Sequence, residues 1–178
     1  MLSTSKDYDP ITWSNTIERL PTGLAAEKTV CDYLTTKKGY YCQQIKGKHA
    51  PYDLLLTYTA DTLNPTSTME VKADFRNEGT GNYFIEKEQN GYPSGIEISK
   101  AKYWCIVSPS GHTSEFHKAY VIEAKDIKRL IKENNYNIKW GHQSRGYIIP
   151  KSHLTPIAEY LIPTSKNHIP PYPINNKK

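Results

Sequence analysis

The chain has 178 residues, which is enough for one domain with a buried core, and no repeat or composition change marks a second domain. Its net charge of +5 and mean hydropathy of −0.68 are typical of a protein with much polar surface. No apolar run reaches the roughly 18 residues of a membrane-spanning helix, so we predict a single domain over residues 1–178 with no membrane partner. The basic balance permits a polyanionic partner without requiring one.

The cysteines and the N-terminus both bear on the compartment. Cys31, Cys42 and Cys105 are widely spaced among apolar residues and form no Cys-x-x-Cys pair. This pattern predicts buried free thiols in a reducing compartment, and not a disulfide framework or a zinc site. The first residues, MLSTSKDYDPITW, lack the apolar core of a signal peptide. We therefore expect a cytoplasmic protein, in a bacterium or a phage-infected cell.

The predicted elements begin with an irregular arm over 1–13 and a short helix over 14–20 that Pro21 should end. A longer helix, LAAEKTVCDYLTTKKG, follows, with Thr22 as candidate N-cap and Gly39 just past its end. Two strands, YYCQQI and YDLLLTYT, come next. After the turn segment ADTLNPTST, the strand TMEVKADF should pair antiparallel with the second of them.

The second half of the sequence alternates strands and helices. NYFIEKE, YWCIVS, AYVIEA and GYIIP are predicted strands, and KDIKRLIKEN is an amphipathic helix. Ser99 is expected to cap a short helix, SKAKYW, and IAEYL to form a helical turn. The core should span about 14–150, and 163–178 is a proline-rich basic tail. This order predicts an α/β domain with a mixed β-sheet flanked by helices.

Two charged residues on one predicted strand indicate chemistry. Glu70 and Lys72 share a strand face because side chains alternate with a period of two. Such a pair is costly when buried, and antiparallel pairing can bring Asp53, which opens the preceding strand, to the same face. Two carboxylates there can hold Mg²⁺, which prefers oxygen ligands and keeps several waters. Lys72 can then orient the attacking water and stabilise the developing negative charge.

A third acid lies on the predicted first helix. Glu27 falls on the apolar stripe of that helix, which also carries Leu20, Leu24, Cys31 and Leu34. An acid on a core-facing stripe either reaches the edge of the core or points at a functional site. A metal cluster with the other two acids would explain its position.

The ordered set of a helix Glu, an Asp and a Glu-x-Lys on a helix–strand–hairpin frame resembles the PD-(D/E)xK nuclease superfamily, of restriction-endonuclease-like fold. The resemblance implies catalytic roles for Asp53, Glu70, Lys72 and Glu27. It further implies that the three acids hold Mg²⁺, for which Mn²⁺ can substitute. The stretch NYFIEKEQNGYPSGIEISKAKYWCIVS looks like part of the small phage-type nucleases of this superfamily, which include Holliday junction resolvase-like members. The family's Pro-Asp is Tyr-Asp here, with the proline one place earlier.

Other charged and polar residues are weaker candidates. A second Glu-x-Lys, at Glu123 and Lys125, lacks an Asp-led hairpin, and we interpret it as surface charge. Glu86 and Glu88 either line the cleft or form the solvated side of a strand. The candidate DNA contacts are Lys46, Lys48, Asn82 and Lys100. Each of these also has a plainer interpretation, as a surface lysine or a turn residue.

The sequence thus predicts a Mg²⁺-dependent DNA endonuclease, either structure-selective or nonspecific, for phage or bacterial DNA processing. A homodimer would place two active sites on one branched substrate. Two alternatives stay open: a DNA-binding module of the same fold that does not cut, and a sequence-specific restriction endonuclease.

Overall fold

The computed structural model describes residues 14–47, 51–58, 66–74, 77–109, 116–141, 143–158 and 160–163. In chain order they form α1 (Ser14–Lys38), β1 (Tyr40–Gln44), β2 (Leu54–Tyr58), β3 (Ser67–Ala73), α2 (Asn77–Thr80), β4 (Asn82–Gln89), β5 (Tyr92–Pro93), β6 (Tyr103–Pro109), β7 (Phe116–Glu123), α3 (Ala124–Glu133), β8 (Ile138–Trp140), β9 (Ser144–Pro150), α4 (Lys151–Leu154) and β10 (Tyr160–Pro163). Short 3₁₀ turns lie at Gly95–Glu97 and Thr155–Ile157.

The strands form two sheets. The first has the order β1-β2-β3-β6-β7-β10; its β3 and β6 are parallel and its other neighbours antiparallel. The second is an antiparallel sheet of order β5-β4-β9-β8. The prediction of an α/β domain with a mixed sheet flanked by helices is confirmed.

Both faces of the first sheet are covered, and strand alternation decides which side chain goes to which face. On one face, α1 buries residues such as Val30 and Leu34 against Leu54 and Met69. On the other, Trp104 and Ile106 of β6 pack with the second sheet and α3, through Tyr83, Ile85 and Ile127. Because Met69 and Val71 of β3 enter the first core, the residues between and after them face the second side.

The first helix does not break where the sequence predicts. α1 runs without interruption from Ser14 to Lys38, so both the stop at Pro21 and the N-cap at Thr22 are wrong. A proline removes only one backbone hydrogen bond, and a long helix can absorb that loss as a bend. The end of the helix was predicted correctly: Gly39 has a φ of 69°, the left-handed conformation in which glycine carries no steric cost.

The prediction of three free thiols is wrong for two of them. Cys31 and Cys42 form a disulfide, with Cα atoms 5.5 Å apart, and Cys105 is free and buried. Cys31 lies on the buried side of α1, and Cys42 lies opposite Leu56 in the sheet, facing the same core. This contact arises from helix-on-sheet packing, which cysteine spacing alone does not reveal. The expected reducing compartment therefore loses part of its support.

Two other local predictions are also wrong. The helix expected after Ser99 is absent, because the Ser99 Oγ accepts hydrogen bonds from the backbone N–H of Ala101 at 3.3 Å and from the indole N–H of Trp104 at 3.1 Å. The IAEYL segment is not a helical turn: a 3₁₀ turn ends at Ile157, and β10 begins at Tyr160. The short strands β5 and β8 carried no sequence signal.

Some predictions concern residues that the structure does not describe. The arm over 1–13, Lys48 and the tail from residue 164 onward lie outside the described ranges. Among the helices that are described, none combines the length and the apolar character needed to cross a bilayer.

Candidate active site

Asp53 is held by the strands on both sides of it. Its backbone N–H donates to the carbonyl of Met69 at 3.0 Å, and its own carbonyl accepts from Ile45 at 2.7 Å. Its side-chain Oδ2 accepts a hydrogen bond from the backbone N–H of Val71 at 2.7 Å. Since Leu54, the next residue, is buried against α1, alternation turns the Asp53 carboxylate toward the other face.

Glu70 and Lys72 lie on that same second face. The Lys72 Nζ is 2.6 Å from the Glu70 Oε1, and their side chains are 40% and 13% exposed respectively. Glu70 is aligned with Trp104 across the parallel pairing of β3 and β6, and the Lys72 Nζ is 5.9 Å from the centroid of the Trp104 ring. The Glu70 carboxylate is therefore largely enclosed, and the Lys72 side chain is partly exposed.

Glu27 approaches the same group from α1. Its half-buried carboxylate accepts a hydrogen bond from the side-chain amide of Gln44, the last residue of β1. Gln44 is paired with Leu54, which is the residue that follows Asp53 in the chain. Glu27 is also within electrostatic range of Asp53, Glu70 and Lys72. The structure thus gathers the four residues that the sequence singled out, while their catalytic roles stay predictions.

The carboxylates of this group raise the pKa values of Glu27 and Glu70. Burial, then the charge of Asp53 and then that of Glu70, raise the pKa of Glu27. Burial, Asp53 and Glu86 raise the pKa of Glu70, and only the Lys72 ammonium opposes them strongly. Burial by itself would lower the pKa of Lys72, but the surrounding carboxylates, Glu70 above all, raise it overall. The site therefore holds more negative than positive charge, which a bound cation would relieve.

The residues present fit a Mg²⁺ ion in their donor chemistry. Asp53 and Glu70 offer carboxylate oxygens on one face, and Mg²⁺ is commonly held by one or two carboxylates while it keeps several waters. Within the described part of the chain, no three acid, histidine or cysteine side chains are arranged to hold an ion together. Asp53 and Glu70 would hold such an ion from one face of the sheet.

Glu86 also lies near the group, although the alternation of Glu86 and Glu88 is more typical of the solvated side of a strand. It lies within electrostatic range of Glu70 and Lys72, and its Oε1 accepts a hydrogen bond from the Ser94 Oγ at 2.7 Å. The sequence signal was its place in the segment NYFIEKE. Its partner distinguishes it from Glu88, which pairs with Arg145 at 3.3 Å.

The candidate DNA-contacting residues differ in where they lie and in what their side chains contact. Lys46 is exposed just after β1, and Lys100 is exposed where its backbone N–H donates to the Pro51 carbonyl at 3.3 Å, two residues before Asp53. Asn82 is engaged locally, because its Nδ2 donates to the Thr80 carbonyl at 2.7 Å. The two described lysines thus lie near the acidic group, whereas the Asn82 amide serves a turn.

The second Glu-x-Lys differs from the first in its surroundings. Glu123 and Lys125 form an ion pair at the junction of β7 and α3, with the Lys125 side chain 75% exposed. The two Glu-x-Lys copies in the chain therefore provide a natural comparison of the same motif at two positions.

The fold and the site define an α/β domain that carries an acid–acid–lysine group on one face of a mixed sheet. The sequence matches no known protein family and no curated protein. Among solved structures, the bacterial homing endonuclease I-Ssp6803I is similar over 73% of this chain and 77% of its own, with a TM-score of 0.45 and 15% identity. D212, a nuclease from a fusselovirus, is similar over 83% and 89%, with a TM-score of 0.42 and 19% identity. These likenesses are too slight to indicate an activity.

Proposed function

We propose that this chain is a Mg²⁺-dependent nuclease that hydrolyses phosphodiester bonds in DNA. The observation that carries the proposal is the placement of Asp53, Glu70 and Lys72 on one face of the sheet, with the Lys72 Nζ 2.6 Å from Glu70. Glu27, on α1, is proposed as a fourth member of this site. Mn²⁺ should replace Mg²⁺, because it accepts the same oxygen ligands.

Each residue has a separate part in the reaction. Asp53 and Glu70 would hold the ion, which when bound neutralises phosphate charge and lowers the pKa of a water molecule. Lys72 would act as a hydrogen-bond donor that orients the attacking water and stabilises the negative charge of the transition state.

Phosphate contacts would come from lysines around the acidic group. Lys46 and Lys100 are exposed near the segment that carries Asp53, and the long lysine side chain suits contact with a DNA backbone phosphate. Their positive charge also offsets the repulsion between DNA and the carboxylates. Lys48 is proposed for the same role from its place in the sequence.

The test is cleavage of plasmid and linear DNA with Mg²⁺, with Mn²⁺ and with chelator, for wild type, Lys72→Ala and Lys125→Ala. Lys125 is the matched control because it belongs to the second Glu-x-Lys. We expect metal-dependent cleavage by wild type and Lys125→Ala. We expect cleavage to be lost in Lys72→Ala while most of the DNA binding is retained, because Lys72 is one phosphate contact among several.

Two results would overturn the proposal. Cleavage by Lys72→Ala at the wild-type rate would remove the assigned mechanism. DNA binding by wild type without cleavage under either metal would instead identify a binding module of this fold.

A further inference from the structure

The edge of the second sheet carries an exposed tryptophan that is stacked on an arginine. Trp140 lies in the edge strand β8 and is 65% exposed. It is paired with Arg145 of β9, whose guanidinium carbon is 4.6 Å from the centroid of the indole ring. Ile138, two residues earlier on the same face of β8, is also exposed. A cation therefore lies against the indole ring, while most of the side chain is open to solvent.

The guanidinium of Arg145 is held by a second partner. Its Nη1 is 3.3 Å from the Oε2 of Glu88 on β4. Glu88 is aligned with Arg145, and Arg145 with Trp140, so the three residues form a row across three antiparallel strands. Directly paired residues of antiparallel strands share a face of the sheet. The backbone pairing thus orients the indole before any ligand binds.

The neighbouring part of β9 is packed closely against β4. A Cβ at Gly146 would lie 2.6 Å from the Phe84 ring, which leaves room only for glycine. The register of β4 shifts beside this point, and the Nζ of Lys87 lies 5.2 Å from the centroid of the Tyr147 ring. Tyr147 is two residues from Arg145 and therefore on the same face of β9. This face consequently carries two successive pairs of an aromatic ring and a cation.

An exposed ring stacked on a cation is suited to an unpaired DNA base. Stacking on an aromatic side chain tolerates any base sequence, because every base has a π-face. Inside a duplex the neighbouring bases cover that face, so only an unpaired base can offer it. Lys139, exposed beside Trp140, and Lys87 add positive charge suited to the phosphates that link such bases.

A second copy of this chain fits the same edge less well. β8 has only three residues, and all three are exposed. So short an edge strand, with a lysine at its centre, is typical of edges that do not pair with another strand.

We propose that Trp140, backed by Arg145, is a stacking site for an unpaired base, and that the DNA bound by this chain contains a single-stranded segment beside a duplex. The site lies on the second sheet, whereas Glu70 and Lys72 lie on the first, so it binds the substrate and does not cut it. The inference rests on the proposed function, from which DNA is taken as the partner.

The first test measures binding in chelator, where no cutting is expected. A blunt duplex is compared with the same duplex extended by a thymidine tail of about ten nucleotides. Wild type should bind the tailed duplex more tightly. Trp140→Ala and Trp140→Leu should weaken binding of the tailed duplex about 5- to 100-fold and leave the blunt duplex within about twofold. Trp140→Phe should keep most of the preference, because its ring can still stack.

Tyr92→Ala is the matched control. Tyr92 is 75% exposed in β5, at the opposite edge of the same sheet. Loss of an exposed ring there should leave the preference for the tailed duplex at its wild-type value. Thermal melting should show similar Tm values for the Tyr92 and Trp140 variants, since both side chains are largely exposed.

The second test follows tryptophan fluorescence as the tailed duplex is added. A base stacked on the indole should quench its emission, and the quenching should be absent from Trp140→Phe. Arg145→Lys keeps the positive charge but lacks the flat guanidinium that stacks on the ring. It should therefore reduce the quenching and weaken binding of the tailed duplex less than Trp140→Ala does.

Three results would overturn the stacking site. Equal affinity of wild type for tailed and blunt duplex would remove it. A full tail preference in Trp140→Leu would identify an apolar contact without stacking, and an equal loss in Tyr92→Ala would remove the assignment to β8. Sedimentation is the further check, because a dimer that dissociates in Trp140→Ala would make this edge an interface between copies and overturn the proposal.

The outcomes for the stacking site and for the nuclease function are distinct. Tail-dependent binding that is lost in Trp140→Ala, without cleavage under Mg²⁺ or Mn²⁺, would support the stacking site and overturn the nuclease. Metal-dependent cleavage with no effect of the tail would leave the nuclease and overturn the stacking site. If wild type binds neither DNA, both proposals fail.

Discussion

The Oδ2 of Asp53 accepts a hydrogen bond from the backbone N–H of Val71, 2.7 Å away, and Val71 is the residue between Glu70 and Lys72. One carboxylate oxygen is thereby tied to the strand that carries the other two functional groups. The bond satisfies a backbone donor of β3, and it also sets the direction of the carboxylate that we propose as a metal ligand. Substitutions at Asp53 should separate these two effects.

Asp53→Asn should keep the fold and lose the activity. The amide oxygen can still accept from Val71, so the free energy of unfolding should change by less than about 1 kcal/mol, whereas loss of the charge should weaken Mg²⁺ binding. Asp53→Ala should lose both, with a further cost of about 1–3 kcal/mol for the unpaired N–H. Denaturant unfolding and Mg²⁺ calorimetry measure the two effects. Wild-type Mg²⁺ affinity in Asp53→Asn would contradict the assignment.

Glu27→Gln should stabilise the metal-free protein at neutral and alkaline pH, by about 2 °C in Tm, while it lowers cleavage. Burial and the repulsion of Asp53 raise the pKa of the wild-type carboxylate, so its charged form is destabilised in the folded protein. Replacing a strained functional group by a neutral one commonly exchanges activity for stability. Thermal melting in chelator, beside a cleavage assay, measures both effects.

The stabilisation by Glu27→Gln should depend on pH in a defined direction. Because the native pKa is above the ordinary value of 4.5, native protein binds the proton more readily than unfolded protein. Lowering the pH therefore relieves wild type of the buried charge, and Gln does not titrate. The Tm difference should be largest near pH 8 and shrink toward pH 4.5. A difference that grows on acidification would show that Glu27 is stabilised as a carboxylate.

Breaking the Cys31–Cys42 disulfide should lower stability by about 2–3 kcal/mol, because the bond closes a short loop of separation 11 between α1 and β1. Reductant should lower the Tm of wild type but not that of the double variant Cys31→Ala/Cys42→Ala. Denatured, unreduced protein should show one reactive thiol per chain. Three reactive thiols would mean that the bond does not form.

Cys105, the cysteine outside this disulfide, provides a reference for the count of reactive thiols. It is buried in the first core, and burial raises the pKa of its thiol to about 12. A thiol held in the neutral form reacts slowly with disulfide reagents. Folded protein should therefore show no fast-reacting thiol before reduction.

DNA binding should be salt-dependent and should favour branched substrates. Lys46→Ala and Lys100→Ala should each weaken binding and reduce the slope of log affinity against log salt by about 1, since each removes one phosphate contact. Lys128→Ala, on the exposed side of α3, is the control. The Lys72→Ala protein allows binding to be measured without cutting.

The preference for branched DNA is tested by titrating a four-way junction, a linear duplex and a single strand at one salt concentration. Contacts to the backbone read the geometry of DNA more than its bases, so the junction should bind most tightly. Sedimentation should show a dimer if two sites act on one junction. Equal affinity for all three substrates would leave a nuclease without structural preference.

The sequence alone predicted the elements whose signal is local and strong. The end of α1 at Gly39, the strands β1 to β4 and the amphipathic α3 follow from residue periodicity and turn chemistry, and the shared face of Glu70 and Lys72 follows from alternation. Short strands such as β8 were missed, because three exposed residues carry no pattern.

Features that depend on contacts between distant segments were decided only by the tertiary structure. Helix-on-sheet packing brings Cys31 to Cys42. In the sequence, each of these cysteines simply lies among apolar residues, and nothing there indicates the pairing. The register shift in β4 gives two nearby acids different partners: Glu86 accepts a hydrogen bond from Ser94, whereas Glu88, two residues on, pairs with Arg145. Periodicity specifies the face on which a side chain lies, whereas the neighbour that it meets depends on how separate elements pack, and local sequence does not contain that information.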